Sequence, residues 1–251
     1  MKRNRFVSVV ILLVAWLDIV AAQNVQYLHT VLVGSDGNGR VKADGGEEAM
    51  GDLHDYFADS FGGRVRNKTV IQLSKKQPIP LGDAIGKVYS SCDSADLVVS
   101  VWAGPWQVDQ RVVERSSLIS PQGESLPAEY VLNFVQFLPA QSVLTFVLSP
   151  QSHEFPTEIL QDFPQSTASG GKHIILVRPR EKMDFDDVVD AFVDAVKAMR
   201  SSKELDTNND GWVRFSEWLR EFYKKAQAEK LSLAGFGIAK FPDYRLVQVK
   251  P

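Results

Sequence analysis

An α/β fold with a largely parallel central sheet is what this sequence predicts, on three observations. Short β-branched runs alternate along the chain with stretches of helical period, those runs are apolar on both faces, and the 251 residues are 44% hydrophobic and 10% aromatic, enough for a full core. The expected strands are residues 27 to 33, 69 to 73, 96 to 102, 142 to 148 and 173 to 178. In Thr30–Val33, Leu97–Val101 and Ile174–Val177 nearly every residue is apolar, as a sheet covered by helices on each side requires. Between the strands, Met50, Leu53, His54, Phe57 and Phe61 fall on one helical stripe, and Tyr130, Val131, Phe134, Val135 and Leu138 on another. Leu81, Ile85, Val88, Tyr89 and Cys92 share a third apolar face, which predicts a buried thiol at Cys92. Ligands on such sheets sit at the carboxyl ends of the strands, so a site there would be built from the loops Gly34–Gly46, Ala103–Pro127 and Ser149–Gly171.

The N-terminus reads as a processing signal. Lys2, Arg3 and Arg5 precede an apolar run from Phe6 to Leu17 that ends in Val20-Ala21-Ala22, so residues 1 to 22 are expected to be a signal peptide cut after Ala22. The run is too short to span a bilayer comfortably and Asp18 follows it at once, so no stable membrane insertion is expected after cleavage. The expected location is exported, periplasmic or extracellular. Lys and Arg total 28 against 31 Asp and Glu, with no basic cluster past the first five residues, which argues against nucleic acid as a partner. Cleavage would leave 25 basic and 30 acidic residues, a net charge of -5. A single cysteine excludes an internal disulfide and fits a bacterial exported protein better than a eukaryotic secreted domain. The sequon Asn67-Lys68-Thr69 matters only in a eukaryotic secretory pathway.

Two glycine-bearing loops compete for a ligand. Gly34-Ser-Asp-Gly-Asn-Gly39 lacks both the G-x-G-x-x-G spacing and a Lys-Ser/Thr pair, so it reads as a turn rather than a phosphate cradle. A calcium loop starting at Asp36 fails because Val41 would occupy the position that needs glycine. The sharper signal is Asp206-Thr-Asn-Asn-Asp-Gly-Trp-Val-Arg-Phe-Ser-Glu217, a match to the twelve-residue EF-hand pattern. Asp206, Asn208 and Asp210 supply oxygens at positions 1, 3 and 5, and Gly211 permits the turn. Trp212 offers its backbone carbonyl, and Glu217 can chelate bidentately from the start of the outgoing helix. The predicted metal is therefore calcium, with Asp206, Asn208, Asp210, Trp212 and Glu217 as ligands. Arg214 at position 9 is the departure, since a guanidinium cannot ligate a cation. Stripes at Phe185, Val188, Val189, Phe192, Val193, Val196 and Met199, and at Trp218, Leu219, Phe222, Tyr223 and Ala226, predict the flanking helices. No second copy is present, so a lone hand is expected to act as a structural clip.

Over residues 27 to 200 the order of elements resembles the caspase and metacaspase-like cysteine peptidases. The segments that carry the resemblance are Val31-Leu-Val-Gly34, Gly51-Asp-Leu53 through Phe61-Gly62, Thr69–Leu73, Leu81–Tyr89, Ser94–Trp106 and Val143–His153. The resemblance implies a caspase-like three-layer α/β sandwich, and a C-terminal Asp-x-Asn-x-Asp-Gly extension occurs beside some bacterial members. It also implies where the family's chemistry would sit, and there the sequence departs from it. Pro105 stands where the family has its histidine, Gln151 where it has its cysteine, and Trp106 where a glycine amide serves the oxyanion. Proline cannot accept a proton and an amide cannot form a thiolate, so no catalytic residue is assigned.

Other candidates carry less. His153 lies beside Ser149 and Ser152 without a nucleophile elbow, while His29 and His173 fall in strands and His54 on the first helix's buried stripe. Asp186 and Asp187 are expected at a helix N-terminus, where the dipole favours them. Trp102, Trp106, Phe155 and Phe163 are expected to cap the sheet rather than line a groove. The expected organisation is a signal peptide over 1–22, a caspase-like domain over 23–183, a helix-loop-helix over 184–230, and a tail or edge strand over 231–251. In the last segment Tyr244–Lys250 alternates like a strand added antiparallel to the sheet. The expected function is an exported calcium-binding protein with an inactive caspase-like domain and a binding or scaffolding role toward a protein or peptide. Two alternatives stay open: a hydrolase working from Cys92 or His153, and a calcium-stabilised interaction module.

Overall fold

The computed structural model describes residues 27–37, 43–58, 66–73, 81–94, 96–109, 111–112, 115–119, 125–140, 142–151, 154–160, 171–198, 202–237 and 245–249. The expected signal peptide lies outside them, as do Phe61, Ser152, His153, Phe163 and Met199. All five expected strands form: β1 (Tyr27–Gly34), β2 (Arg66–Leu73), β3 (Leu97–Ala103), β7 (Ser142–Leu148) and β8 (Lys172–Pro179). They lie in one six-stranded sheet in the order β10-β8-β7-β3-β1-β2. Every neighbouring pair is parallel except the edge strand β10 (Leu231–Gly237), which joins β8 antiparallel.

The alternation along each strand divides the core in two. Leu28 and Leu32 of β1, Leu97, Val99 and Val101 of β3, Leu144, Phe146 and Leu148 of β7, and Ile175 and Val177 of β8 point into one cluster. Val31, Val33, Val98, Trp102, Val143, Val147, Ile174 and Leu176 point into the other. Helices cover both faces: α1 (Gly46–Ala58), α4 (Phe185–Lys197) and α6 (Phe215–Ala228) pack into the first cluster, and α2 (Leu81–Ser91) and α3 (Ala128–Phe137) into the second. This is a three-layer α/β arrangement, and burial on both sides explains why the strands read as continuous apolar runs.

The helices flanking the Asp206–Glu217 loop belong to this core. Phe192 of α4, Phe222 of α6 and Phe146 of β7 meet edge to face, with centroids 5.1 to 5.7 Å apart, and Trp218 stacks on Phe222 at 5.4 Å. On the incoming side α4 runs to Lys197, and a single turn, α5 (Ser202–Leu205), leads directly into the loop. Glycine matters most at Gly34, where a Cβ would sit 2.1 Å from the Gly46 carbonyl oxygen and 2.5 Å from Met50 Cγ. The glycine-bearing turn after β1 thus serves close helix–sheet packing.

Two features depart from expectation. The loop after β3 folds into a small antiparallel sheet of β4 (Trp106–Gln107), β5 (Ser117–Ile119) and β6 (Ser125–Pro127), each too short to show a period. The C-terminal strand β11 (Arg245–Gln248) is antiparallel, as expected, but its partner is β9 (Trp212–Arg214) inside the Asp206–Glu217 loop and not the main sheet. The main sheet's edge is already covered by β10.

Candidate metal centre

The loop from Asp206 to Glu217 is closed by its own backbone. Gly211 has φ 82° and Asn209 φ 57°, which turn the chain so that successive N–H groups point inward. Asp206 accepts the Asp210 N–H at 3.1 Å and the Gly211 N–H at 2.9 Å, while Asn208 Oδ1 accepts the Asp210 N–H at 2.8 Å. Asp210 Oδ1 accepts the Trp212 N–H at 3.0 Å. Glu217 reaches back from the first turn of α6. Its Oε1 accepts the Thr207 N–H, the Thr207 hydroxyl and the Asn208 N–H at 2.9, 2.7 and 3.2 Å, and its Oε2 accepts the Arg214 N–H at 3.0 Å. Asp206 and Glu217 are 8% and 4% exposed, so two carboxylates are buried in one interhelical loop. All five predicted ligand residues therefore lie on one short loop, with oxygen donors from Asp206, Asn208, Asp210 and Glu217 turned to its inside. That all-oxygen set, completed by a main-chain carbonyl, suits a hard dication such as calcium.

Arg214 does more than fail to ligate. Its Nε and a terminal amino group donate to Asp210 Oδ2 at 2.8 and 2.6 Å, so a guanidinium holds the position-5 carboxylate. The loop's three carboxylates accordingly do not draw within 4.8 Å of one another. Calcium does not require that, because ligands on opposite sides of an ion at 2.3–2.6 Å stand about 5 Å apart. Behind the loop, β9 pairs with β11 in the register Val213 to Val247, and Val249 N–H donates to the Gly211 carbonyl at 2.8 Å.

The carboxyl ends of the strands look different. With β1 flanked by β2 and β3, the strand order reverses there, which is where ligands enter open α/β sheets. Among the described residues the crevice is filled. Ser35 N–H donates to the Ala103 carbonyl at 2.8 Å across the two strand ends, and a Cβ on Gly104 would lie 3.0 Å from both Ser35 O and Leu118 Cδ1. Trp106 is 0% exposed with its ring edge-on to Phe155 at 4.7 Å, as expected of capping aromatics. Pro105 is buried, Gln151 is exposed, and the buried Ser149 hydroxyl accepts the Phe155 N–H at 3.3 Å. None of these is a base or nucleophile facing an opening.

The histidines divide by environment. His173 is buried in β8, and desolvation pushes its pKa down to about 4, so it is neutral at physiological pH. His54 lies at the margin of its stripe and is partly exposed, bonded to Asp55 at 3.2 Å, and is not buried as expected. His29 is fully buried and its Nε2 meets Asp96 Oδ2 at 2.9 Å. Cys92 is buried as the apolar face predicted, and it joins that pair. The grouping is hidden in the sequence because only the parallel pairing of β1 with β3 brings His29 to Asp96.

No protein-family model matches this chain, and no curated protein does. Among solved structures, the chain is similar to the crystal structure of protein GSU0716 from Geobacter sulfurreducens, at 14% identity and a TM-score of 0.52. That match covers 89% of this chain and 100% of the other. At that identity the likeness shows a shared fold, and it agrees with a helix-flanked, largely parallel sheet.

Proposed function

We propose that this chain is an exported calcium-binding protein whose caspase-like sandwich has lost its peptidase dyad and works by binding or scaffolding. The observation that carries the reading is Glu217: a carboxylate 4% exposed, at the twelfth position of the loop, with both oxygens turned back onto it beside the buried Asp206. Backbone N–H groups offset part of the cost of burying two carboxylates at one loop, and a bound dication would offset more. The filled crevice at the strand ends, with Pro105, Trp106 and Gln151 at the positions the resemblance assigns to chemistry, supports the non-enzymatic half. A hydrolase working from Cys92 would need an opening, and Cys92 is 8% exposed.

An open cleft of about 580 Å³ gives a binding role a place, lined by Gln107, Asp109, Arg111, Arg115, Ser117 and Ser125. The Asp109 carboxylate, which accepts the N–H groups of Arg111 and Val112, and the residues Arg111 and Arg115 give the cleft charges of both signs for a polar peptide. Equilibrium dialysis against calcium, run beside a mixed peptide library, tests the reading. One bound ion and no cleavage are expected. Turnover that scales with protein would contradict it.

A further inference from the structure

At the opposite, amino-terminal ends of the strands, three buried side chains from different elements converge. His29 is the third residue of β1, Asp96 immediately precedes β3, and Cys92 follows α2. A ring nitrogen of His29, the Cys92 Sγ and a carboxylate oxygen of Asp96 all lie within 4.8 Å of one another. The residues are 0%, 8% and 2% exposed.

Asp96 is fully engaged. Its Oδ1 accepts the Tyr27 N–H at 3.1 Å, and its Oδ2 accepts the Asp93 N–H at 3.0 Å and faces His29 Nε2 at 2.9 Å. That contact makes Nε2 the ring nitrogen on the Asp96 side, so Nε2 is the atom a shared ion would meet. Nδ1, on the far side of the ring, is buried with no hydrogen-bond partner among the described residues, so it can take the ring proton and leave Nε2 a lone pair. A lone pair facing a carboxylate is unfavourable unless a cation lies between them.

The donor chemistry says which ion. Imidazole nitrogen, thiolate sulfur and one carboxylate oxygen form the mixed set that zinc favours, whereas calcium takes oxygen alone. One thiolate and one carboxylate cancel a dication, so the complex is neutral, which suits a buried site, and a single water would complete the four-coordinate shell. The Lys172 ammonium, anchored by the carbonyls of Gln136 at 2.7 Å and Leu138 at 2.9 Å, lies near enough to Cys92 for a thiolate to interact with it. Three atoms no more than 4.8 Å apart share a point within about 2.8 Å of each, so bonds of roughly 2.0–2.3 Å need only small shifts.

We propose that His29, Cys92 and Asp96 form a structural zinc site that ties the starts of β1 and β3 to the end of α2. On binding, the ring proton moves from Nε2 to Nδ1 and the thiol proton leaves to solvent, and the nitrogen–metal and sulfur–metal bonds take their places. The site is separate from the calcium loop and does not depend on it.

The test is to strip the full chain with a chelator and titrate it with cobalt(II), then displace cobalt with zinc, for the native chain, Cys92→Ala and Glu217→Gln. Cys92→Ala removes only the thiol and leaves the Asp96 hydrogen bonds to Tyr27 and Asp93, so it is expected to fold. The native chain and Glu217→Gln should show a near-ultraviolet thiolate-to-cobalt charge-transfer band saturating at about one equivalent, with a rise in melting temperature on adding zinc. Cys92→Ala should show neither. Absence of the band in the native chain, its persistence in Cys92→Ala, or equal stabilisation of both by zinc would overturn the proposal. So would metal-independent hydrolysis lost in Cys92→Ala, which would make the three residues a catalytic group.

Discussion

Arg214 is the residue on which the strength of the proposed calcium loop turns. Its guanidinium holds Asp210 Oδ2, and an entering ion must displace it. A partly exposed ion pair is worth about 1 kcal/mol at most, so Arg214→Ser should tighten calcium binding several-fold. Chelator competition measures this, and weaker binding in Arg214→Ser would contradict it. The loop's oxygen-bearing residues were legible as a group because a twelve-residue pattern places them on one turn by local geometry alone. The grip of Arg214 on Asp210 was not, since composition at position 9 says what cannot ligate but not what it holds. His173 gives a pH signature. Its pKa falls from 6.5 to about 4 in the folded chain, so the unfolded state binds the proton more readily. The stability this contributes is complete above about pH 6.5 and is lost as pH falls toward 4. The full shift is worth at most about 3 kcal/mol. His173→Phe should flatten the stability profile in that window in denaturant melts. An unchanged slope would show that other groups set it.

At the scale of elements, the pairing of β9 with β11 decides how the Asp206–Glu217 loop keeps its shape. The loop strand is paired by the chain's own C-terminal strand, through Val213 and Val247, the pairing that a second hand would supply if the loop is the EF-hand we propose. A proline cannot donate in a ladder, so Val247→Pro should loosen the loop and weaken calcium binding several-fold while helical circular dichroism stays intact. Equal affinity would show that β11 only covers the loop. Alternation in Tyr244–Lys250 announced a strand but not its partner, because a period of two describes faces and says nothing of which edge is adjacent. The same limit hid the cluster of His29, Cys92 and Asp96, each of which reads singly as core. The stripe from Phe185 to Val196 was legible as a helix, yet its role was double: α4 covers the sheet as well as leading toward the loop.

For the whole molecule, calcium and the sandwich are expected to share one stability. Phe222 of α6 packs against Phe146 and Phe192, so ordering the loop's outgoing helix also braces the sheet. With a dissociation constant of roughly 10⁻⁴ M, millimolar calcium adds about 1.4 kcal/mol, or about 3–6 °C in Tm for a chain of this size. Far-ultraviolet and near-ultraviolet signals should move together. A calcium-dependent transition confined to one signal would show that the loop unit melts alone. The sheet was readable because five doubly buried strands leave unbroken apolar runs, and the short β4, β5 and β6 were not because two or three residues carry no period.

The central claim is most directly tested by calorimetric titration of calcium into residues 23 to 251 beside Glu217→Gln. One saturable binding event, weakened at least tenfold when the bidentate carboxylate becomes an amide, is the result this account predicts. No binding heat in the native chain at millimolar calcium, or equal affinity in the two proteins, would contradict it.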